Sequence, residues 1–547
     1  MFLFRLFQSF LPLHNPIGFG VGDFLELGLA ALFVLLALAR HRLEAFGRSL
    51  AARTGWCMLA LGALPILLRL ALLPAHAIPV PHICDEFSFL LSADTLAHFR
   101  LANPTHPMHA FFEALFVQQE PRYASIYPIG QGLVLAIGRL LFGHPWAGVA
   151  LSIGALCALC YWMLRGWTTP GWALFGGLLA VIAFGPLCLW MNGYWGGAVS
   201  AIAGCLVFGA LPRLAVTPRR QAVLLGTGLG LQMLTRPFEF LFLATSTAVF
   251  LFSLRRAWRQ WAPAAVLAMM PAAGLVLLHN HAVTGNWTTL PYMLSRYQYG
   301  VPTTLTFERI PTPHHPLNQE QRVDYELQSD IHGRAPETPA RYLGRLGDRV
   351  RFYRFFLLAP LYVALPAFLL KLREGRSARV ALCLLLFALG ANFYPYFYPH
   401  YIAAAACLFL LVAVISLDRM GVDAGRAIAV LCFAHFLFWY GLHLFGEERM
   451  WKFEPWDSIE HGDPDGRIAI ERRLRQEAGR QLVFVRYGPK HLLEEWVHNS
   501  ADPDRAPIVW ANDLGAEENV KLSRYYPDRK LWLLEPDSTP PKLTPYR

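Results

Sequence analysis

The feature that most limits what this chain can become is a recurring run of charge-free apolar residues. Residues 147–164 read AGVALSIGALCALCYWML and residues 402–417 read IAAAACLFLLVAVISL, with no charged side chain in either. In lipid every backbone N–H and C=O has to be satisfied within the segment itself, so such a run crosses as a helix, and about 20 apolar residues suffice. About twelve runs of this kind can be counted, so the expected fold class is an all-α polytopic membrane protein with about twelve transmembrane helices.

Charged residues make up 16% of the 547 positions, against about 25% in soluble domains, and they are not scattered. Arg40, Arg42, Arg48 and Arg53, then Arg213, Arg219 and Arg220, then Arg255, Arg256 and Arg259, then Lys371, Arg373, Arg376 and Arg379, then Arg419 and Arg426 fall in short connections between apolar runs. The positive-inside rule makes those connections cytoplasmic. The net charge of +10 therefore reports orientation, and no nucleic-acid footprint is present. Counting outward, the tips NGYWGG (192–197), TRPFE (235–239) and YPYFYPHY (394–401) fall on the extracytoplasmic side of an inner (plasma) membrane. So do the loops 75–146 and 280–350 and the tail after 446.

Residues 127–143, YPIGQGLVLAIGRLLFG, complicate the count, because a crossing there inverts every later loop and puts the arginines outside. A short segment that opens on Pro128, carries two glycines and holds Arg139 suits a re-entrant or juxtamembrane helix instead. The organisation expected is an interfacial segment and extra membrane helix (about 23–39) over 1–56, a membrane domain over 57–445, and a tail over 446–547. No small-residue cleavage site marks the first 20 residues as a removed signal. In the tail, residues 481–487, 507–512 and 530–536 read as strands and KHLLEEWVHN (490–499) and ENVKLSRYY (518–526) as helix-like, a small extracytoplasmic α/β domain without a G-x-G-x-x-G or P-loop. Of nine cysteines all but Cys84 sit in apolar runs, so no disulfide framework is expected, and Cys157 and Cys160 are expected to pack.

The stretch PHICDEFSF (81–89) sets Asp85 and Glu86 just after an apolar run. One reading makes Asp85 the N-cap of a helix and Glu86 a first-turn acid favoured by the dipole. The other makes Asp85 a partly desolvated carboxylate, with a pKa raised towards that of a general base. His82, Asp85 and Glu86 match no metal-ligand spacing, so no metal is expected, and Asp94 with His98 at i and i+4 reads as a structural pair. NGYWGG reads either as an interfacial aromatic turn or as part of a site. Arg236 either pairs with Glu239 or, with His400 and Tyr401, neutralises a phosphate.

Asp85 and Glu86 in the first large loop, the proline-led helix from Tyr127, and PHY at Pro399, His400 and Tyr401 resemble the GT-C superfamily of integral-membrane glycosyltransferases over about residues 57–445. The branch they resemble is that of protein O-mannosyltransferases and aminoarabinose transferases. The resemblance implies a polyprenyl-phosphate-linked sugar donor, an acceptor on protein, lipid or glycan, Asp85 as catalytic base supported by Glu86, and inversion. It further implies that Arg236, His400 and Tyr401 hold the donor phosphate, and that Tyr127, Gln131, Asn192, Tyr194 and Trp195 bind substrate. No cofactor is required, with a divalent metal as the less favoured alternative, and the partners expected are donor, acceptor and membrane lipids. The chain departs from the family pattern in its extra first helix and in Ile129 and Gly130, where relatives often have a second proline and a bulkier residue. A secondary transporter, or a non-catalytic membrane protein of polysaccharide assembly, is the alternative, but no paired interrupted helices mark two halves here.

Overall fold

The computed structural model describes residues 21–81, 83–252, 258–445 and 466–546, with Ile459 and Asp463. The interfacial segment expected over the first 20 residues, His82, and the pair Arg255 and Arg256 lie outside the described residues.

The helices are, in chain order, α1 Val21–Ala52, α2 Thr54–Ala71, α3 Cys84–Ala97, α4 Ile129–Phe142, α5 Trp146–Leu164, α6 Pro170–Phe184, α7 Ala198–Ala210, α8 Pro218–Thr235, α9 Pro237–Leu251 and α10 Trp258–Thr284. They continue with α11 Pro291–Tyr299, α12 Gln319–His332, α13 Pro339–Arg349, α14 Pro366–Leu369, α15 Gly375–Ala391, α16 Ala406–Met420, α17 Val422–Leu444, α18 Arg467–Gln476 and α19 Ala516–Tyr525. Among the described residues five helices are long and apolar enough to cross a bilayer, and five further apolar stretches are shorter, so the twelve expected spans are not all realised as long helices. One reason is visible at residues 355–371. Pro360 and Pro366 divide that apolar run into 3-10 turns, Val350–Phe356 and Ala359–Val363, and the four-residue α14, since proline removes a helix hydrogen bond and clashes with the preceding turn.

The first helix differs from expectation in the other direction. It runs for 32 residues, past the arginines that were expected to lie in a loop. The stretch HRLEAFGRSLAA is built largely of good helix formers, and nothing in it stops propagation. Arg48 accordingly stands on the helix 3.7 Å from Glu44, which also meets Arg426 at 2.9 Å. Arg213 donates to the Trp162 carbonyl, while Arg376 and Arg379 lie over the rings of Trp167 and Phe250, so the arginine-bearing turns gather at one end.

Helix α4 has 14 residues, about 21 Å at 1.5 Å per residue, short of the roughly 30 Å hydrocarbon core. Gln131, Gly132, Leu135 and Gly138 are buried, while Ile137, Leu140, Leu141 and Phe142 are exposed on the opposite side. Arg139 is exposed beside them and pairs with Asp94, so the face is mainly large apolar side chains with one charge at its edge, a pattern that suits a helix lying at a lipid surface.

The tail forms a four-stranded sheet from β3 Arg480–Val485, β4 Ile508–Asn512, β5 Arg529–Glu535 and β6 Lys542–Pro545, in the order β4-β3-β5-β6; a two-stranded ribbon, β1 Val117–Gln118 with β2 Ala124–Ser125, precedes it in loop 75–146. Strand β3 is parallel to both neighbours and β6 antiparallel to β5. Residues 490–499 are irregular where a helix was expected. An open backbone there sends Trp496 and Val497 into one core and Leu493 into another, so tertiary burial outweighs helix propensity. The sheet does not stand apart from the loops: Phe111 and Phe112 of loop 75–146 share a core with Leu482, Phe484 and Val509.

Candidate functional site

Helix α3 begins at Cys84, with Ile83 at the N-cap in extended conformation and no side-chain cap. The N-cap reading of Asp85 is thereby corrected. An antiparallel bridge between Ile83 and Glu494 fixes the residue before the helix, and the Cys84 N–H donates to the Leu493 carbonyl at 2.9 Å. Asp85 and Glu86 therefore occupy the first turn, where the helix dipole favours negative charge.

Asp85 is half-buried and its Oδ1 accepts a hydrogen bond from the Tyr127 hydroxyl. The Cys84 thiol lies 3.7 Å from Oδ2. Burial pushes the Asp85 carboxyl above the ordinary carboxylate range; the bonds from Tyr127 and Cys84 and the positive charge of Arg236 partly oppose it. Tyr127 is itself fixed, its ring stacked on Phe89 at 4.4 Å and its N–H donating to Ser125 Oγ at 3.1 Å.

Glu86 is buried, and its Oε1 accepts the Tyr194 N–H at 2.9 Å, so it holds the NGYWGG turn. Gln131 grips the same turn through Nε2 and the Tyr194 carbonyl (3.1 Å), leaving a buried Oε1 with no hydrogen-bond partner. Asn192 and Tyr194 are absorbed into the architecture. Arg69 donates to Asn192 Oδ1 at 2.8 Å, the Asn192 amide donates to the Pro186 and Cys188 carbonyls, and the Tyr194 hydroxyl donates to the Pro79 carbonyl. Trp195 points elsewhere, edge-on to Tyr398 and His400 at 5.2 and 5.6 Å.

Arg236 occupies the break between α8 and α9, at φ −147° and ψ 86°, because Pro237 disfavours a helical residue before it. Its guanidinium lies 3.4 Å from Glu239 and 5.1 Å above the Tyr401 ring. Arg236 is thus paired with Glu239, and the same guanidinium also faces the Tyr401 ring of PHY. His400 is stacked on Tyr398, is 5% exposed, and has an Nδ1 without a hydrogen-bond partner. The head of α4 presses against the Arg236 turn, since a Cβ on Gly130 would lie 2.9 Å from the Leu234 carbonyl oxygen and closer still to Thr235. Only glycine fits there.

Sequence reasoning missed Asp324, on α12. It is 1% exposed and accepts from Gln328 Nε2 at 2.8 Å, while Gln328 accepts the Thr303 N–H. Burial, with the nearby Asp85 charge adding to it, pushes Asp324 up to about 7. Glu320, Asp324, Gln328 and His332 recur every four residues and are all buried. That spacing was the available signal, masked by a composition that reads as a solvated loop. Asp94 is a structural anchor, 3.4 Å from His98 and 2.8 Å from Arg139, and it accepts the Ala501 N–H of the tail. Among the described residues no group of three or more His, Cys, Asp or Glu is placed to hold a metal ion. All nine cysteines are free and buried.

No protein-family model matches the sequence, and no curated protein matches it. Solved structures do match. ArnT from Cupriavidus metallidurans bound to undecaprenyl phosphate superposes with a TM-score of 0.51 at 12% identity, covering 88% of this chain and 93% of that one. Its apo state matches with the same score and coverage at 13% identity. The Archaeoglobus fulgidus oligosaccharyltransferase gives a TM-score of 0.38 at 11% identity, over 87% of this chain and 69% of that one. With five helices long and apolar enough to cross a bilayer among the described residues, and this match in hand, the chain is similar in fold to ArnT.

Proposed function

We propose that this protein transfers a hexosyl or pentosyl group from a polyprenyl-phosphate donor to an acceptor hydroxyl or similar group, at the extracytoplasmic face of the plasma membrane. The observation that carries the reading is Asp85, a half-buried carboxylate bonded to Tyr127 and set in the field of Arg236. The ligand of the similar ArnT structure, undecaprenyl phosphate, suggests the donor class.

In the proposed step Asp85 takes the acceptor O–H proton as the oxygen bonds to the anomeric carbon. The bond from that carbon to the phosphate oxygen breaks, its electron pair leaves with the polyprenyl phosphate, and one displacement inverts the centre. The phosphate departs already ionised, so it needs positive charge and hydrogen-bond donors more than a general acid. Arg236 supplies the charge, and the open His400 Nδ1 beside Trp195 and Tyr401 supplies a polar contact. Tyr127 aligns the base, and Gln131 shapes the acceptor side by holding the NGYWGG turn. Glu86, Asn192 and Tyr194 brace these groups through the NGYWGG turn.

Asp85→Asn keeps the shape and removes the base. It is expected to lower transfer from a polyprenyl-phosphate sugar in membranes by about 100-fold or more, the scale of general-base catalysis, with expression unchanged. Full activity in that variant rules out the assignment.

A further inference from the structure

The N-terminal end of α3, which carries Asp85, is held less by its own neighbours in sequence than by the tail. Ile83 bridges Glu494, and the Cys84 N–H ends on the Leu493 carbonyl. Leu493 adopts φ +64°, a left-handed conformation that costs a non-glycine residue about 1 kcal/mol. Its side chain packs in a small core with Cys84, Leu115 and Phe116. Two residues beyond Asp85, Phe87 stacks on His498 at 4.1 Å and lies under the Arg467 guanidinium at 4.8 Å.

Glu495 ties this arrangement together. It is 1% exposed; its Oε1 accepts from the Tyr487 hydroxyl and the Val497 N–H, both at 2.8 Å, and its Oε2 accepts the Leu115 N–H at 3.1 Å. The next residue of the loop, Phe116, accepts at its carbonyl from Ser88 Oγ, one turn after Asp85. The Glu495 backbone carbonyl in turn accepts from Arg467, the residue that covers Phe87. The Glu495 carboxylate thus joins the tail to loop 75–146, and the start of α3 is held by the residues beside those joints, Phe116 and Leu493.

We propose that residues 493–495 of the tail form part of the transfer site, and that Glu495 is a positioning residue that sets the place and dryness of Asp85. The proposal rests on the transferase reading for its kinetic consequence but not for its structural one. Glu495→Gln is the sharp variant, because an amide cannot accept from both the Leu115 and the Val497 N–H, whichever way it is turned.

The test measures two things on the full-length protein in detergent or membranes. Amide exchange of the peptide over residues 83–89 is expected to rise in Glu495→Gln while that of β3 and β5 stays at wild-type rates. Transfer should show kcat lowered about 10- to 100-fold, the scale of a small misplacement of a reacting group, with KM for the lipid donor within about twofold. The acid limb of kcat should move to lower pH, because water reaching Asp85 relieves the burial that raises it; a merely structural role would leave that limb in place. Lys530→Ala, at the exposed pair with Glu477, is the control expected to change neither readout.

If Glu495→Gln does not fold, Arg467→Lys removes the planar cover on Phe87 and is read the same way. Unchanged exchange at 83–89, or unchanged kcat in an active enzyme, overturns the proposal. A wild-type protein without transfer activity whose Glu495→Gln variant exchanges faster at 83–89 supports the clamp and sinks the transferase reading instead.

Discussion

At the scale of single residues, the site is a balance of forces on one carboxyl. Burial raises Asp85, and the Tyr127 hydroxyl pulls it back. Removing that hydroxyl should therefore raise the Asp85 pKa further and shift the acid limb of kcat to higher pH. A hydrogen bond to a charged group contributes about 1.5–3 kcal/mol, so Tyr127→Phe is expected to lower kcat at neutral pH about tenfold or more; a pH–rate profile checks this. An unmoved limb would detach Tyr127 from Asp85. Asp85, Glu86, Arg236, His400 and Trp195 were legible in the sequence because polar groups at the end of apolar runs stand out there. Asn192 and Tyr194 were found by the same signal, yet their contacts lie within the fold. Arg69, which holds Asn192, sits inside the run of α2, where only the structure reveals its partner.

At the scale of elements, the short α4 was legible because length and parity constrain it together, whereas α12 was not. Its first turn buries Glu320, 2% exposed, with neither carboxylate oxygen hydrogen-bonded. Burial, with Glu495 nearby, holds the Glu320 pKa well above the ordinary range. The folded state therefore keeps a proton that the unfolded chain releases near pH 4.3. Stability contributed by this group is complete below that pH and is lost as pH rises towards the folded value. Glu320→Gln, a mimic of the protonated acid, should leave Tm unchanged at low pH and raise it at alkaline pH. A scan of Tm against pH that falls equally in both proteins would refute this. Residues 490–499 escaped the sequence for a related reason: their apolar residues serve two separate cores, and no single periodicity describes that.

At the scale of the whole molecule, loop 75–146, the three polar tips and the tail share one end of the helices, and the arginine turns share the other. Strands β3, β4 and β5 were legible from their β-branched and aromatic runs; β6, with two prolines just before it and one at its end, was not, and neither was the attachment through Phe111, Phe112 and Asp94, because contacts across hundreds of residues leave no local pattern. The orientation itself is open to a direct measurement. All nine native cysteines are buried, so background labelling should be low. Val520→Cys, at an exposed position of α19, is expected to react with a membrane-impermeant thiol reagent applied to intact cells, and Arg373→Cys only after lysis. The reverse pattern would place the site in the cytoplasm.

The contact at Gly130 bears on how such a molecule could admit a lipid. With no space between the head of α4 and the Leu234 carbonyl, the wall that carries Tyr127 and Gln131 packs directly on the turn that carries Arg236. If the proposed lipid donor enters there, pushing one wall outward is expected to load the other as well, as the two plates of a hinge do, so that groove and cation shift together.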